Sequence, residues 1–178
     1  MPIAPACRLP PPWTHKGYRL RAECDADEAF LRALYASTRT DELAAAIGWS
    51  EARKAAFLAG QFAAQRLHFR TRIAGCGFWV IERGGDPVGR LYLQDTADRI
   101  LLVDVALLPA ERGNGLGSAL LAAVLAGADA AAKPVCLAVE PASAAIRLYR
   151  RLGFEVIGAE GGRYRMARPV RAAAQALS

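Results

Sequence analysis

The sequence predicts a single domain of the α/β (α+β) class, in which helices cover a central sheet. Three observations lead to this prediction: a long apolar strand over residues 100–108, a glycine-rich turn at 113–117, and an apolar helical repeat that begins at 116. The chain has 178 residues, of which 53% are hydrophobic, and this is enough for one domain with a substantial core. We find no internal repeat and no second domain.

The first half of the chain is predicted to begin with a short strand at 18–21 and to continue as helices. A helix is expected to start at Asp25 or Asp27, because apolar residues recur at helical spacing after them. A second helical region follows, and Ser50 then caps a longer helix. Four apolar positions of that helix are expected to point inward: Leu58, Phe62, Leu67 and Phe69.

The remaining strands are predicted from apolar runs bounded by turn residues. They lie at 78–81, 88–93, 100–108, 135–140, 154–157 and 163–166. The glycine pairs at 84–85 and 161–162 indicate two hairpins. Because the run at 100–108 is almost continuously apolar, this strand is expected to be covered on both faces. The predicted order is β-α-α-β-β-β-α-β-α-β-β.

The glycine-rich turn after the long strand predicts an anion site. Gly113, Gly115 and Gly117 permit positive φ and leave no Cβ to block a ligand that approaches the backbone. The helix that follows presents free N–H groups at the positive end of its dipole, where phosphate is stabilised. The turn lacks the lysine of a Walker A loop, and its glycine spacing differs from the dinucleotide fingerprint. We therefore expect a phosphorylated cofactor of another kind.

Two motifs resemble the GNAT acetyltransferase superfamily. One is Arg112-x-x-Gly115-x-Gly117, and the other runs from Ala145 through Leu148-Tyr149 to Gly153-Phe154. With the strands around them, they cover about residues 99–167 in the order typical of that superfamily. The resemblance implies the GNAT fold, with a central mixed, mostly antiparallel sheet flanked by helices on both faces. It also implies acetyl-CoA as cosubstrate.

The resemblance further implies which residues bind acetyl-CoA. The backbone of Leu107 is expected to pair with the pantetheine arm, and the amide near Val105 to polarise the acetyl carbonyl. The pyrophosphate would lie on amides between Gly113 and Ser118, beside Arg112. The complete predicted set is Val105, Leu107, Arg112, Gly113, Asn114, Gly115, Leu116, Gly117 and Ser118. Ala142 stands where many relatives have asparagine, so that contact is expected to weaken or to move to Ser143.

Tyr149 is the predicted general acid. It occupies the position where many members of the superfamily have a tyrosine directed at the cofactor sulfur. The departing thiolate must be protonated, which is a role for such a hydroxyl. The alternative is a core tyrosine with a hydrated hydroxyl.

Two carboxylates are candidates for the general base. Glu140 ends the strand after the cofactor helix, and Asp104 lies within the long apolar strand. A carboxylate at that place is costly unless it is paired, so a structural Asp104 that pairs with backbone or with an arginine is favoured over a catalytic one. Leu101 stands where histone-type relatives have a glutamate base, so that mechanism does not transfer. We expect direct attack by the acceptor, with water relaying the proton.

The predicted acceptor is a primary amine of a small molecule or peptide, acetylated in a ternary complex. The alternatives are a toxin-like aminoacyl-tRNA acetyltransferase and a non-catalytic acetyl-CoA-binding module. Gln61, Gln65 and His68 form a polar stripe that is either a solvated face or an acceptor contact, and Trp49 could line the same opening.

The net charge of +6 is dispersed, so a nucleic-acid partner is not expected. A homodimer is expected only by analogy with the superfamily.

Residues 1–16 are predicted to be a flexible, Pro-rich leader, 17–170 the acetyltransferase domain, and 171–178 a tail. There is no signal-peptide pattern and no apolar run long enough to span a bilayer, so we expect a cytoplasmic protein without a membrane partner. The four cysteines lack Cys-x-x-Cys spacing, which argues against a metal site and a disulfide framework.

Overall fold

The computed structural model of the protein describes residues 9–171. Seven strands form one sheet in the order β1-β2-β3-β4-β5-β7-β6. The strands are β1 (Tyr18–Ala22), β2 (Cys76–Arg83), β3 (Asp86–Asp95), β4 (Ile100–Leu107), β5 (Val135–Val139), β6 (Glu155–Glu160) and β7 (Arg163–Arg168). The helices are α1 (Pro11–Thr14), α2 (Glu28–Ser37), α3 (Thr40–Ala45), α4 (Glu51–Arg72), α5 (Leu116–Ala130) and α6 (Ala145–Arg151).

The sheet is mixed but mostly antiparallel, as predicted. β4 and β5 form its parallel pair, and α5 is the crossover between them. The other neighbours pair antiparallel, including the hairpins β2-β3 and β6-β7. The prediction of the fold class is therefore confirmed.

Helices cover both faces of the sheet because side chains alternate along the strands. On β3, Leu91 and Leu93 belong to the main core, together with the buried leucines of α5. The residue between them, Tyr92, points the other way and packs edge-to-face on Phe69 of α4. The same side holds a smaller cluster that joins α2 to α4. The two faces are thus packed by different helices.

Burial along α4 differs from the prediction. Phe62 is buried in the smaller cluster, whereas Leu67 is 64% exposed. Five residues separate the two, which turns their side chains roughly 140° apart on a helix, so they cannot share one buried face. Phe69 and Leu58 are partly buried. The expectation that Leu67 points inward is wrong.

The N-terminal segment also differs from the prediction of a flexible leader through residue 16. Leu9 is only 6% exposed and belongs to the main core. Pro11–Thr14 form the helical turn α1, and Trp13 packs edge-to-face on Tyr18 at 5.4 Å. Two large apolar side chains anchor this segment, which is too short to show a hydrophobic period. Residues 1–8 and 172–178 lie outside the described part of the chain.

The packing of Leu9 predicts that Leu9→Ala destabilises the protein by about 2 kcal/mol, through lost burial and the cavity that remains. Urea denaturation of the purified variant measures this change. The control is His15→Ala, since His15 is exposed in the same segment and its replacement should leave the midpoint unchanged. Equal midpoints for both variants would contradict the packed segment.

Candidate active site

The candidate site begins where β4 and β5 separate. Their parallel pairing covers Ile100–Leu102 on β4 and Val135–Leu137 on β5, and then stops. β4 continues to Leu107 along β3, with Val103 as an extra residue between two partners on β3. Such a bulge bends a strand and re-aims its side chains. A cleft therefore opens between the far ends of the two strands.

Two cavities occupy this cleft. The first, of about 440 Å³, lies along the end of β4 and the start of α5, and we call it the glycine-turn cavity. The second, of about 220 Å³, lies between β4, β5 and the end of α2, and we call it the polar cavity. The residues that line both cavities are Thr38, Val105, Ala106, Ser143, Ala145 and Tyr149. The two spaces thus meet at one junction.

The backbone of β4 faces the glycine-turn cavity at the predicted positions. The amide of Leu108 bonds to β3, and the carbonyl of Ala106 also points toward β3. Since polar groups alternate sides along an antiparallel strand, those of Val105 and Leu107 point into the cleft that β5 has left. This is the orientation that pairing with an extended ligand requires.

The glycine turn adopts the conformation that its sequence predicts. Gly113 and Gly115 have φ of 77° and 92°, in the left-handed region that favours glycine. Gly115 is the N-cap of α5, and the side-chain oxygen of Asn114 accepts from the Leu116 amide at 3.0 Å. Among residues 9–171, no acceptor is bonded to the amides of Gly117 and Ser118, which remain available for an anion.

Arg112 braces the end of β4. Its Nε donates to the Leu107 carbonyl at 2.8 Å, and a terminal nitrogen donates to the Ser37 hydroxyl at 3.1 Å. The side chain therefore ties β4 to the C-terminus of α2 and fixes one wall of the glycine-turn cavity. Sequence reasoning expected Arg112 beside the pyrophosphate and did not foresee this bracing.

Tyr149 stands at the junction of the two cavities. Its side chain lies on α6, is 8% exposed, and packs edge-to-face on Phe154. The hydroxyl makes no hydrogen bond to any described side chain. Burial, reinforced by the negative charge of Asp104 and opposed by Arg163, raises the pKa of Tyr149 to about 12. The hydroxyl is therefore protonated at neutral pH and can act as a donor.

Asp104 lines the polar cavity but is held in an ion pair. Its carboxylate accepts from Arg90 Nε at 2.6 Å, and another nitrogen of Arg90 donates to Gln65 at 2.8 Å. Arg90 is only 4% exposed. Burial disfavours its charge, but the neighbouring Asp104 outweighs this and raises the pKa of Arg90. The pairing agrees with the structural interpretation of Asp104.

Glu140 lies at the rim of the polar cavity, directly after β5. Its side chain is 52% exposed, and its nearest cation is Arg39, with 3.8 Å between Oε1 and Nη1. This is longer than a hydrogen bond. Glu140 is thus accessible from the cavity, whereas Asp104 is engaged by Arg90.

Several polar residues of the site were not predicted. Arg39, Arg90 and Arg163 all line the polar cavity, although they lie on three elements far apart in sequence. Of the predicted polar stripe on α4, Gln65 reaches the cavity, while Gln61 is bonded to the Tyr35 hydroxyl. Arg90, an arginine inside the apolar strand at 88–93, was a local signal that could have indicated the partner of Asp104.

Comparison with known families identifies the matched part of the chain. Residues 74–156 match the family model described as the acetyltransferase (GNAT) domain. This part of the chain is similar to a GNAT acetyltransferase domain. This confirms the resemblance that the two motifs indicated, and the matched range includes the glycine turn and Tyr149.

Solved GNAT structures share the fold. The PaiA N-acetyltransferase from Thermoplasma acidophilum, in complex with coenzyme A, is 16% identical with a TM-score of 0.64, covering 85% of this chain and 98% of its own. YncA from Salmonella typhimurium, with its cofactor acetyl-CoA, is 22% identical with a TM-score of 0.51, covering 89% and 96%. The ribosomal-protein-S18-alanine N-acetyltransferase from Escherichia coli is 22% identical with a TM-score of 0.56, covering 90% and 99%.

No curated protein matches this sequence significantly. At the identities above, the solved structures establish the GNAT fold for this chain. No helix within residues 9–171 has the length and apolar character to cross a bilayer. In the same residues, no three His, Cys, Asp or Glu side chains are grouped so that they could hold a metal ion.

The ion pair in the GNAT cleft predicts different effects for the two carboxylates. Asp104→Asn leaves the buried Arg90 without a charged partner and should destabilise the protein by about 1–3 kcal/mol. Glu140→Gln is the matched control and should cost less than about 1 kcal/mol, since its ion pair is long and exposed. Urea denaturation of both variants tests this. A larger loss for Glu140→Gln would contradict the assignment.

Proposed function

We propose that this protein is an acetyl-CoA-dependent N-acetyltransferase that acts on a primary amine of a small molecule or peptide. The observation that carries the proposal is the junction of two cavities at Tyr149. One cavity is lined by the end of β4 and by Gly117 at the start of α5, which suits a cofactor, and the other has the charged groups suited to a polar acceptor. Such an arrangement favours direct transfer in a ternary complex.

Acetyl-CoA fits the glycine-turn cavity. The free amides of Gly117 and Ser118, at the N-terminus of a 15-residue helix, suit its pyrophosphate. The inward backbone groups of Val105 and Leu107 suit the amide-containing pantetheine arm. When bound, acetyl-CoA supplies the activated acetyl group as a thioester. The names of the PaiA and YncA structures record coenzyme A and acetyl-CoA in those proteins.

The residues at the junction supply the proton chemistry. The amide of Val105 can donate to an acetyl carbonyl placed there, and such a bond is worth about 3 kcal/mol as negative charge develops on the oxygen. Tyr149, protonated at neutral pH, can donate to the leaving sulfur. The acceptor ammonium must first lose a proton, which passes through water at the open rim of the polar cavity. Glu140, half exposed at that rim, is the carboxylate placed to receive it.

Replacing Gly115 by aspartate should abolish acetyl-CoA binding, with Kd raised by at least about 100-fold. A carboxylate at the turn would oppose the pyrophosphate, and like charges in contact cost several kcal/mol. Gly85→Asp is the matched control, because Gly85 also has positive φ, at 102°, but lies in the β2-β3 hairpin. Calorimetric titration measures both affinities. Unchanged binding in Gly115→Asp would refute the cofactor assignment.

Replacing Tyr149 by phenylalanine should lower kcat by roughly 100-fold, because the proton donor to the thiolate is removed. The affinity for acetyl-CoA should change by less than about 3-fold, since the ring and its packing on Phe154 are retained. Thiol release gives the rate and calorimetry gives the affinity. Equal losses in both would indicate a purely structural tyrosine.

A further inference from the structure

The polar cavity contains charged groups of both signs. Its lining includes the carboxylates of Asp104 and Glu140 and the guanidinium groups of Arg39, Arg90 and Arg163. Arg90 and Asp104 form a closed pair at 2.6 Å. The charges at the cavity outside this pair are those of Arg39, Arg163 and Glu140.

Arg163 has no carboxylate within ion-pair distance among the side chains that the structure describes. It lies at the start of β7, with an exposed side chain, and its positive charge opposes the burial that raises the pKa of Tyr149. Two residues further along the same strand, Arg165 lies 3.5 Å from Glu160 and lines neither cavity. Arg165 thus has a carboxylate partner and lies away from both cavities, whereas Arg163 lines the polar cavity without such a partner among the described side chains.

Arg39 is incompletely satisfied. One of its terminal nitrogens pairs at 2.6 Å with Glu42, a residue that does not line the cavity. The same nitrogen lies 3.8 Å from the carboxylate of Glu140. Its Nε is buried and has no hydrogen-bond partner among the described residues. Because that atom has no accessible surface, it is the rest of the guanidinium that could meet an anion in the cavity.

The lining thus combines Arg163, whose guanidinium has no described carboxylate partner, with the accessible carboxylate of Glu140, and it suits an acceptor that carries both charges better than one that is only a cation. It accommodates an acceptor whose own negative charge meets the two arginines while its amine lies near the one accessible carboxylate, Glu140. The volume of about 220 Å³ is below the range of about 300–1,000 Å³ of ordinary ligand pockets, which favours a small molecule over a folded protein segment.

We propose that the acceptor is a small amino acid, a molecule with both an amine and a carboxylate. Its carboxylate binds Arg39 and Arg163, and its amine lies between Glu140 and Tyr149. This inference rests on the proposed function and narrows its acceptor class. The transfer balances: the amine nitrogen bonds to the acetyl carbon, the carbon–sulfur bond breaks, one proton leaves the nitrogen, and one reaches the sulfur.

The test uses the full-length protein with acetyl-CoA and matched acceptors, with thiol release as the readout. The panel pairs each common α-amino acid, β-alanine and γ-aminobutyrate with its carboxamide and with its decarboxylated amine. At least one amino acid should exceed both of its partners by about 10-fold in kcat/KM, as expected when a charge pair that is only partly buried is lost. A panel in which the carboxylate-free amines are equal or better overturns the inference, as does one in which no amino acid is acetylated.

Three variants separate recognition of the carboxylate from general effects. Arg163→Gln and Arg39→Gln should each raise KM for the preferred amino acid by about 10-fold or more, and the ratio of its kcat/KM to that of its decarboxylated amine should fall by a similar factor. Arg165→Gln, on the same strand as Arg163, is the control and should change neither value. Thermal melting verifies that each variant is folded. An unchanged preference in both cavity variants refutes the assigned carboxylate site.

The outcomes also distinguish this inference from the function on which it rests. If acetyl-CoA does not bind by calorimetry, the proposed acetyltransferase activity fails. If acetyl-CoA binds and simple amines are acetylated as well as amino acids are, the activity stands and the acceptor class is wrong.

Discussion

The early end of the β4-β5 pairing is the constraint on which the rest of the site depends. Had the two strands paired along their whole length, the amides of Val105 and Leu107 would be consumed by β5 and no cleft would exist. The pairing instead stops at Leu102 and Leu137, and the bulge at Val103 bends β4 away. β5 remains in the sheet because it pairs with β7 on its other side. Backbone groups that are left unpaired in this way need water or a ligand.

A second constraint is the division of charge around the cleft. Arg90 and Asp104 neutralise each other, and Gln65 joins this pair to α4, so the wall between sheet and helix is polar but satisfied. Arg112 similarly donates hydrogen bonds to Leu107 and Ser37 and fixes the end of β4. The charges that are left over, on Arg39, Arg163 and Glu140, surround the place where an acceptor would lie. Within this one cleft, the charges that hold the structure are thus distinct from those available to an acceptor.

The sequence predicted the elements whose signals are local. The glycine turn, the apolar strand before it and the helix after it follow from backbone conformation and apolar spacing, and Tyr149 followed from a short motif. The acetyltransferase resemblance, and with it the mixed sheet, followed from the same motifs taken together with the order of the elements along the chain. These features require no knowledge of distant contacts, which is why they could be read from the residues alone.

The features that the sequence did not predict depend on tertiary contacts. Pairing of Asp104 with Arg90 was one of two open interpretations, and only the register of β3 against β4 brings the two together. Leu9 and Trp13 gave no periodic signal, because a segment of a few residues has no period. Arg39 and Arg163 come from a helix end and a late hairpin, and no spacing rule relates them. Leu67 was wrongly expected to point inward, because the expectation used its apolar character and not its angular position around the helix axis.

The central claim is that the cleft binds acetyl-CoA, and calorimetric titration of the unaltered full-length protein tests it most directly. NAD and ATP serve as controls, because both contain phosphates but lack the pantetheine arm that the β4 backbone is expected to bind. The account predicts selective binding of acetyl-CoA, with a Kd on the order of micromolar, about 8 kcal/mol of binding free energy. No binding of acetyl-CoA, or equal binding of all three ligands, would contradict it.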